Sequence, residues 1–180
     1  PDSSSADIWH STAITSSGAK ADTAAAAAIS GRANILLMTQ ATEDAVLRPT
    51  DPGQWPHDLR AVIASRIARL NGSDALAVRI ARHNRSDALA ATYAANVATS
   101  PHANLADPGA SSPDATLAAA LTFVDRVATN PRDTTADDIK ALQAAGISDA
   151  DIVRLTELVA FMGYQVRLTA GLALLAEMQS

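Results

Sequence analysis

Residues 71–90 read NGSDALAVRIARHNRSDALA, and one phrase, Asn-x-Ser-Asp-Ala-Leu-Ala, begins at Asn71 and again at Asn84. Each copy reads as a helix stop followed by a helix start. Gly72 suits the left-handed residue that ends a helix, and Asn84-Arg85 makes the second break. Ser73 and Ser86 are N-cap residues, with Asp74 and Asp87 beside the positive helix ends. Upstream, Leu59, Ile63, Ile67 and Leu70 form a helical stripe from His57 to Leu70. Downstream, Leu76 and Ile80 share one face, and Leu89, Tyr93 and Val97 continue the pattern after the second copy. The repeated phrase is therefore punctuation between helices.

The same reading extends along the chain. Residues 32–47 form a helix with Ile35, Leu36, Met38, Ala45, Val46 and Leu47 mostly on one side, and Pro49 stops it. A proline-rich loop follows. A second loop, about residues 99–115, divides the domain into halves. Thr116–Ala128 is helical with Leu117, Leu121, Val124 and Val127 inward. Thr135 caps a helix that Gly146 ends. Ser148 with Asp151 resembles a capping box and opens a last helix running to about Met178. Gly163 and Gly171 within it suggest close approach of another helix. No strand pattern emerges. Residues 1–31, rich in Ser, Ala and Thr, read as a loosely held N-terminal arm, and residues 32–180 as one all-α domain.

Composition narrows the function. The chain has 180 residues, 48% of them hydrophobic but only 3% aromatic, a balance that favours close-packed helices. A net charge of -5 with dispersed basic residues argues against nucleic acid and anionic membranes. There is no cysteine, which removes disulfides, thiolate catalysis and thiolate metal ligands and fits a reducing compartment. No basic region followed by an apolar stretch opens the chain, so a cytoplasmic protein is expected. The apolar stretch 155–175 includes Glu157, Gln165 and Arg167 and reads as a core helix, with no membrane partner.

Two stretches resemble the carboxymuconolactone decarboxylase superfamily, in its peroxidase-related, alkylhydroperoxidase (AhpD)-like branch. One is LRAVIASRIARLNGSDALAVRIARH, residues 59–83. The other begins at Phe123 and holds Pro131, Thr135, Asp138, Leu142, Gly146, Ser148, Asp149, Ile152, Arg167, Gly171 and Leu172 in register. The resemblance implies an AhpD-like helical bundle over residues 32–178 and a homo-oligomer, dimer to hexamer. It also implies an ancestral site of Glu-x11-Cys-x2-Cys-x3-His, in which a helix-opening cysteine pair is served by a Glu–His proton relay. Counted from the Asn71-Gly72 turn, those four positions are Ala61, Ser73, Leu76 and Ile80. All four family residues are replaced, so thiol peroxidase chemistry is not expected.

Remaining polar candidates for a pocket are Arg60, His83, Tyr164 and Arg167. Arg167 lies in so apolar a helix that it must find an acceptor or reach solvent. Neither His57 nor His102 has an i, i+4 metal partner, so no metal and no cofactor are expected. Two function classes follow. One is a non-redox protein that binds a small molecule or serves as an oligomeric accessory protein. The other is a cofactor-free decarboxylase or isomerase with relocated acid–base residues. The second requires at least two of the four polar candidates in one cavity.

Overall fold

A computed structural model describes residues 7–82 and 100–178. The second copy of the repeated phrase, its helix with Leu89, Tyr93 and Val97, and His83 lie outside the described residues. Within them every regular element is helical. The α-helices are α1 (Thr12–Ser17), α2 (Ala25–Ser30), α3 (Ala33–Leu47), α4 (His57–Leu70), α5 (Asp74–Arg82), α6 (Ala115–Thr129), α7 (Ala136–Ala144) and α8 (Asp149–Glu177). Short 3-10 turns occupy Ile8–His10, Ala103–Ala106 and Pro131–Asp133.

Helix α4 is the axis of the molecule. Every residue from Leu59 to Ala68 is buried, although the leucine–isoleucine stripe alone accounts for only one face. Alanines at 61, 64 and 68 let neighbouring helices approach the other faces. Those neighbours are α5, α6, α8 and the 103–106 turn. Such all-round burial encloses three polar side chains, and each finds acceptors. Arg60 donates to the carbonyls of Trp55 (2.8 Å), Val46 (2.9 Å) and Pro52 (3.1 Å), stapling the loop before α4 to its first turn. Ser65 donates to Ala77 O on α5 (3.2 Å).

Arg66, 3% exposed, does most. Its guanidinium makes a two-point pair with Asp125 of α6 at 2.6 Å for each oxygen. It also donates to the carbonyls of Leu105 (3.1 Å), Asp107 (2.7 Å), Pro108 (2.8 Å) and Ala110 (3.0 Å). The loop read from sequence as a divider is thus fastened to the central helix. Arg69 adds a bond to Ala106 O (2.9 Å).

The turn from α4 to α5 follows the capping argument. Gly72 has φ +70°, and the amides of Gly72 and Ser73 return to the carbonyls of Arg69 and Ala68 at 2.9 Å. Ser148 caps α8, though without the reciprocal backbone bond of a full capping box: Asp151 N–H donates to Ser148 Oγ (3.2 Å) and Ser148 Oγ–H to Asp151 Oδ2 (2.6 Å), while the Ser148 N–H donates to Gln54 Oε1 (3.4 Å). Asp151 also latches the preceding loop. Its Oδ1 accepts from Gln54 N–H (3.0 Å) and Arg154 (3.0 Å), and its carbonyl accepts from Trp55 Nε1 (2.9 Å). Gly53 makes this possible, with φ +58° and Asp151 Oδ1 only 2.0 Å from where a Cβ would sit. Burial pushes the Asp151 carboxyl pKa up, but the bonds from Ser148, Gln54 and Arg154 outweigh burial and hold it below the usual range.

Three expectations are corrected. The segment 7–31, expected as a loose arm, is packed. Ile8, Ile14, Ala25 and Ile29 join Leu36 in a second core that rests on Leu168, Leu172 and Leu175 of α8. The isoleucines gave no stripe in sequence because Gly18, at φ +78°, and a second turn divide them among short pieces. Helix α3 turns a different face inward. Leu36, Thr39, Gln40, Glu43 and Leu47 are buried, whereas Met38 is 64% exposed. Its polar residues are satisfied across the fold: Glu43, 0% exposed, accepts from Thr12 Oγ1 (2.7 Å) and Gln165 Nε2 (2.8 Å), and Gln40 accepts from Thr12 N–H (2.8 Å). Finally, neither glycine of α8 is closely approached by another described helix. A Cβ at Gly163 would meet only the Arg167 guanidinium, and one at Gly171 would meet nothing within 4 Å.

Arg66→Met keeps much of the side-chain volume but strands Asp125 and four loop carbonyls. It is expected to cost about 3 kcal/mol in urea unfolding, as for a buried pair broken on one side. A loss below about 0.5 kcal/mol, the size of an ordinary surface change, would show that the arginine does not organise the loop.

Candidate functional site

The four positions assigned from the family motif lie where α4 and α5 pack. Ala61, Leu76 and Ile80 are at most 1% exposed and belong to one continuous core with Ile63, Ile67, Leu121 and Leu155. Ser73 sits half-buried at the rim, one residue ahead of α5, and its carbonyl accepts from Ala77 N–H (3.0 Å). A groove between α3 and α8, a cleft beside Gly18 and Ala173, and a cleft beside Arg66 and Pro108 are lined by none of the four. The geometry at this place is that of packed hydrocarbon with one serine at its edge.

The other candidates among the described residues do not meet. Arg60 is spent on the three loop carbonyls and is buried. Burial lowers its pKa, the Arg154 charge adds to this, and Glu157, Asp151 and Asp51 oppose it. Arg167 is exposed and curls back along its own helix to donate to Gly163 O (2.7 Å). It thus finds an acceptor and solvent together, but in neither an ion pair with Glu157 nor a cavity. Tyr164 alone of the described candidates lines an open groove, and His83 lies outside the described residues. Among the described residues no group of three His, Asp or Glu side chains is placed to hold a metal ion.

That groove runs between α3 and α8 and has a volume of about 680 Å³. Its walls are the outward residues of α3, including Ile35 and Met38, and Glu157, Ala160, Phe161 and Tyr164 of α8. Thr39 donates its only hydroxyl hydrogen to Ile35 O (2.9 Å), so in the 2.9 Å contact with Tyr164 Oη the tyrosine is the donor. Phe161 and Tyr164 pack at a tilt of 42°, ring centroids 6.3 Å apart. The tyrosine hydroxyl is therefore held against α3, and Glu157 is the one charged group of the groove. Reading α3 by its aliphatic residues placed this wall in the core. The signal available in sequence was the run of polar residues at 39, 40 and 43, which share a face with Leu36 and Leu47.

Helix α8 is long and apolar enough to cross a membrane by length and composition, yet its Leu155, Leu158, Met162 and Gln165 are buried within the fold. Comparison with protein-family models, with curated proteins and with solved structures finds no match to this chain.

The packing at the α4–α5 contact makes a definite forecast. Ile80→His places an imidazole among apolar side chains with no partner and is expected to lower stability by about 3 kcal/mol. Ser73→Cys, at the rim, is expected to change it by less than about 0.5 kcal/mol. Urea unfolding of both variants measures the difference, and an Ile80→His protein as stable as the parent would reveal space and polar partners at this place.

Proposed function

We propose that the chain is an AhpD-like helical protein without redox chemistry, acting as an oligomeric accessory protein through its surface. The observation that carries this reading is the state of the four motif positions. Three are continuous with the hydrophobic core, and the fourth is a rim serine. A peroxidase site needs a thiolate to attack peroxide and a second thiol to resolve it, and the chain has no cysteine. Helix boundaries around the Asn71-Gly72 turn agree with the register assumed in the resemblance, because α4 ends at Leu70 and α5 begins at Asp74.

The decarboxylase or isomerase reading requires acid–base and anchoring groups in one cavity. Among the described residues Tyr164 is the only one of its candidates to line one, and its hydroxyl is already bonded. The α3–α8 groove favours contact over chemistry: its exposed apolar residues lie on two long helices, the arrangement that a partner helix covers. A reducing compartment such as the cytoplasm suits a protein built without disulfides.

At micromolar concentration the protein is expected to sediment as an oligomer. Freed of metal and supplied with a dithiol, it is expected to consume no alkyl hydroperoxide above the buffer rate. Peroxide loss proportional to protein would overturn the non-redox reading, and sedimentation as a monomer alone would overturn the oligomeric one.

A further inference from the structure

The outer face of α8 carries a regular feature that the fold itself does not use. Ala150, Val153, Glu157, Ala160, Tyr164, Arg167, Gly171 and Leu174 are all exposed. They are spaced alternately three and four residues apart, the spacing of a two-helix seam. Helix α3 borders this face along one side, where Glu157, Ala160 and Tyr164 line the groove and Tyr164 reaches Thr39, but all eight residues stay exposed, and Gly171 faces open space. A glycine inside a helix is less favourable than alanine, and nothing among the described residues uses the room it leaves.

The seam is complementary to itself when reversed. Place a second α8 antiparallel, with a two-fold axis level with Met162, so that residues equally far on either side oppose each other. Val153 then meets Gly171 of the second copy, Ala160 meets Tyr164, and Ala150 meets Leu174. Each layer joins a large side chain to a small one, which keeps the helix separation even. The remaining layer sets Glu157 against Arg167, twice by symmetry. Within one chain these two charges are ten residues apart, about 15 Å along the helix, too far to pair. A parallel arrangement would put Glu157 against Glu157 and Arg167 against Arg167. The charged layer therefore selects the antiparallel alignment and its register, as polar seam residues do in coiled coils. A seam of this spacing drifts about 20° per heptad on a straight helix, so the pair would coil gently left-handed.

We propose that a second copy of this chain docks on the outer face of α8, forming an antiparallel, two-fold symmetric helix pair fixed by reciprocal Glu157–Arg167 ion pairs. Its flank lies over the mouth of the α3–α8 groove, where Met38 stands exposed. This rests on the oligomeric reading above and adds the surface, the direction and the register.

The chain lacks cysteine, so introduced thiols report cleanly. Val153→Cys and Gly171→Cys proteins are made separately, mixed as full-length chains and oxidised mildly. The expected result is a disulfide-linked dimer in the mixture and none in either protein alone. In the antiparallel register the two copies of residue 153 lie about 27 Å apart along the axis, far beyond disulfide reach. Glu157→Arg alone is expected to weaken dimerisation at least about tenfold, and Glu157→Arg with Arg167→Glu to restore it. Self-linking of Val153→Cys would overturn the antiparallel register. A parent protein that stays oligomeric while the mixture fails to link and Glu157→Arg has no effect would overturn this interface and leave the oligomeric reading standing. A monomeric parent would overturn both.

Discussion

The buried guanidinium of Arg66 ties the central helix to its surroundings, with its donors directed at Asp125 and at four carbonyls of the 105–110 loop. A buried cation is tolerated only when its hydrogens are satisfied and an opposite charge is near, and here both conditions hold. Six residues earlier on the same helix, Arg60 does the like for the loop before α4. Together they let one helix be buried on every side. Without them the ends of α4 would meet loops whose main-chain carbonyls had lost water and gained nothing. The axis of the fold is therefore set by two charged side chains within a buried run, Leu59–Ala68, that is otherwise alanine, leucine, isoleucine, valine and one serine.

Closing α4 on all sides has a functional consequence. Where a catalytic relay would need space and polar neighbours, the α4–α5 contact supplies Ala61, Leu76 and Ile80 in a dense core. The buried polar groups serve structural duties. Glu43, Gln40, Gln165 and Thr12 join the N-terminal segment to α3 and α8. Asp151 joins the Trp55 loop to the start of α8. The apolar faces left over lie on the outside of α3 and α8, along the groove between them, and association is what such faces can do.

Much of the helical framework was legible because caps and breakers are local. Asn71-Gly72, Asn130-Pro131, Thr135 and Ser148 mark boundaries that the structure keeps within a residue or two. The core character of positions 76 and 80 was legible for the same reason, since Leu76 and Ile80 share one face of a recognisable helix; that of Ala61 was not, because it lies off the Leu59–Ile63–Ile67 stripe. What Arg60 and Arg66 bind was not legible, because their acceptors are main-chain carbonyls, which every residue owns. The packing of residues 8–31 was hidden by chain breaks that scatter Ile8, Ile14 and Ile29 among separate pieces. The inward face of α3 was misread because Thr39, Gln40 and Glu43 look like a solvent face until Thr12 and Gln165 arrive from distant parts of the chain. Sequence periodicity shows which residues share a face; it does not show which face the rest of the protein will cover.

Native-state hydrogen exchange along α4 tests the central claim most directly. If the helix is filled and satisfied on every side, the amides of residues 61–68 exchange slowest in the described chain, and only with global unfolding. Their apparent opening free energy then equals the stability measured with denaturant. Opening of α4 away from α5 at a free energy several kcal/mol below that value would contradict the account, because it would expose an interior route to Ala61, Leu76 and Ile80 in the folded protein.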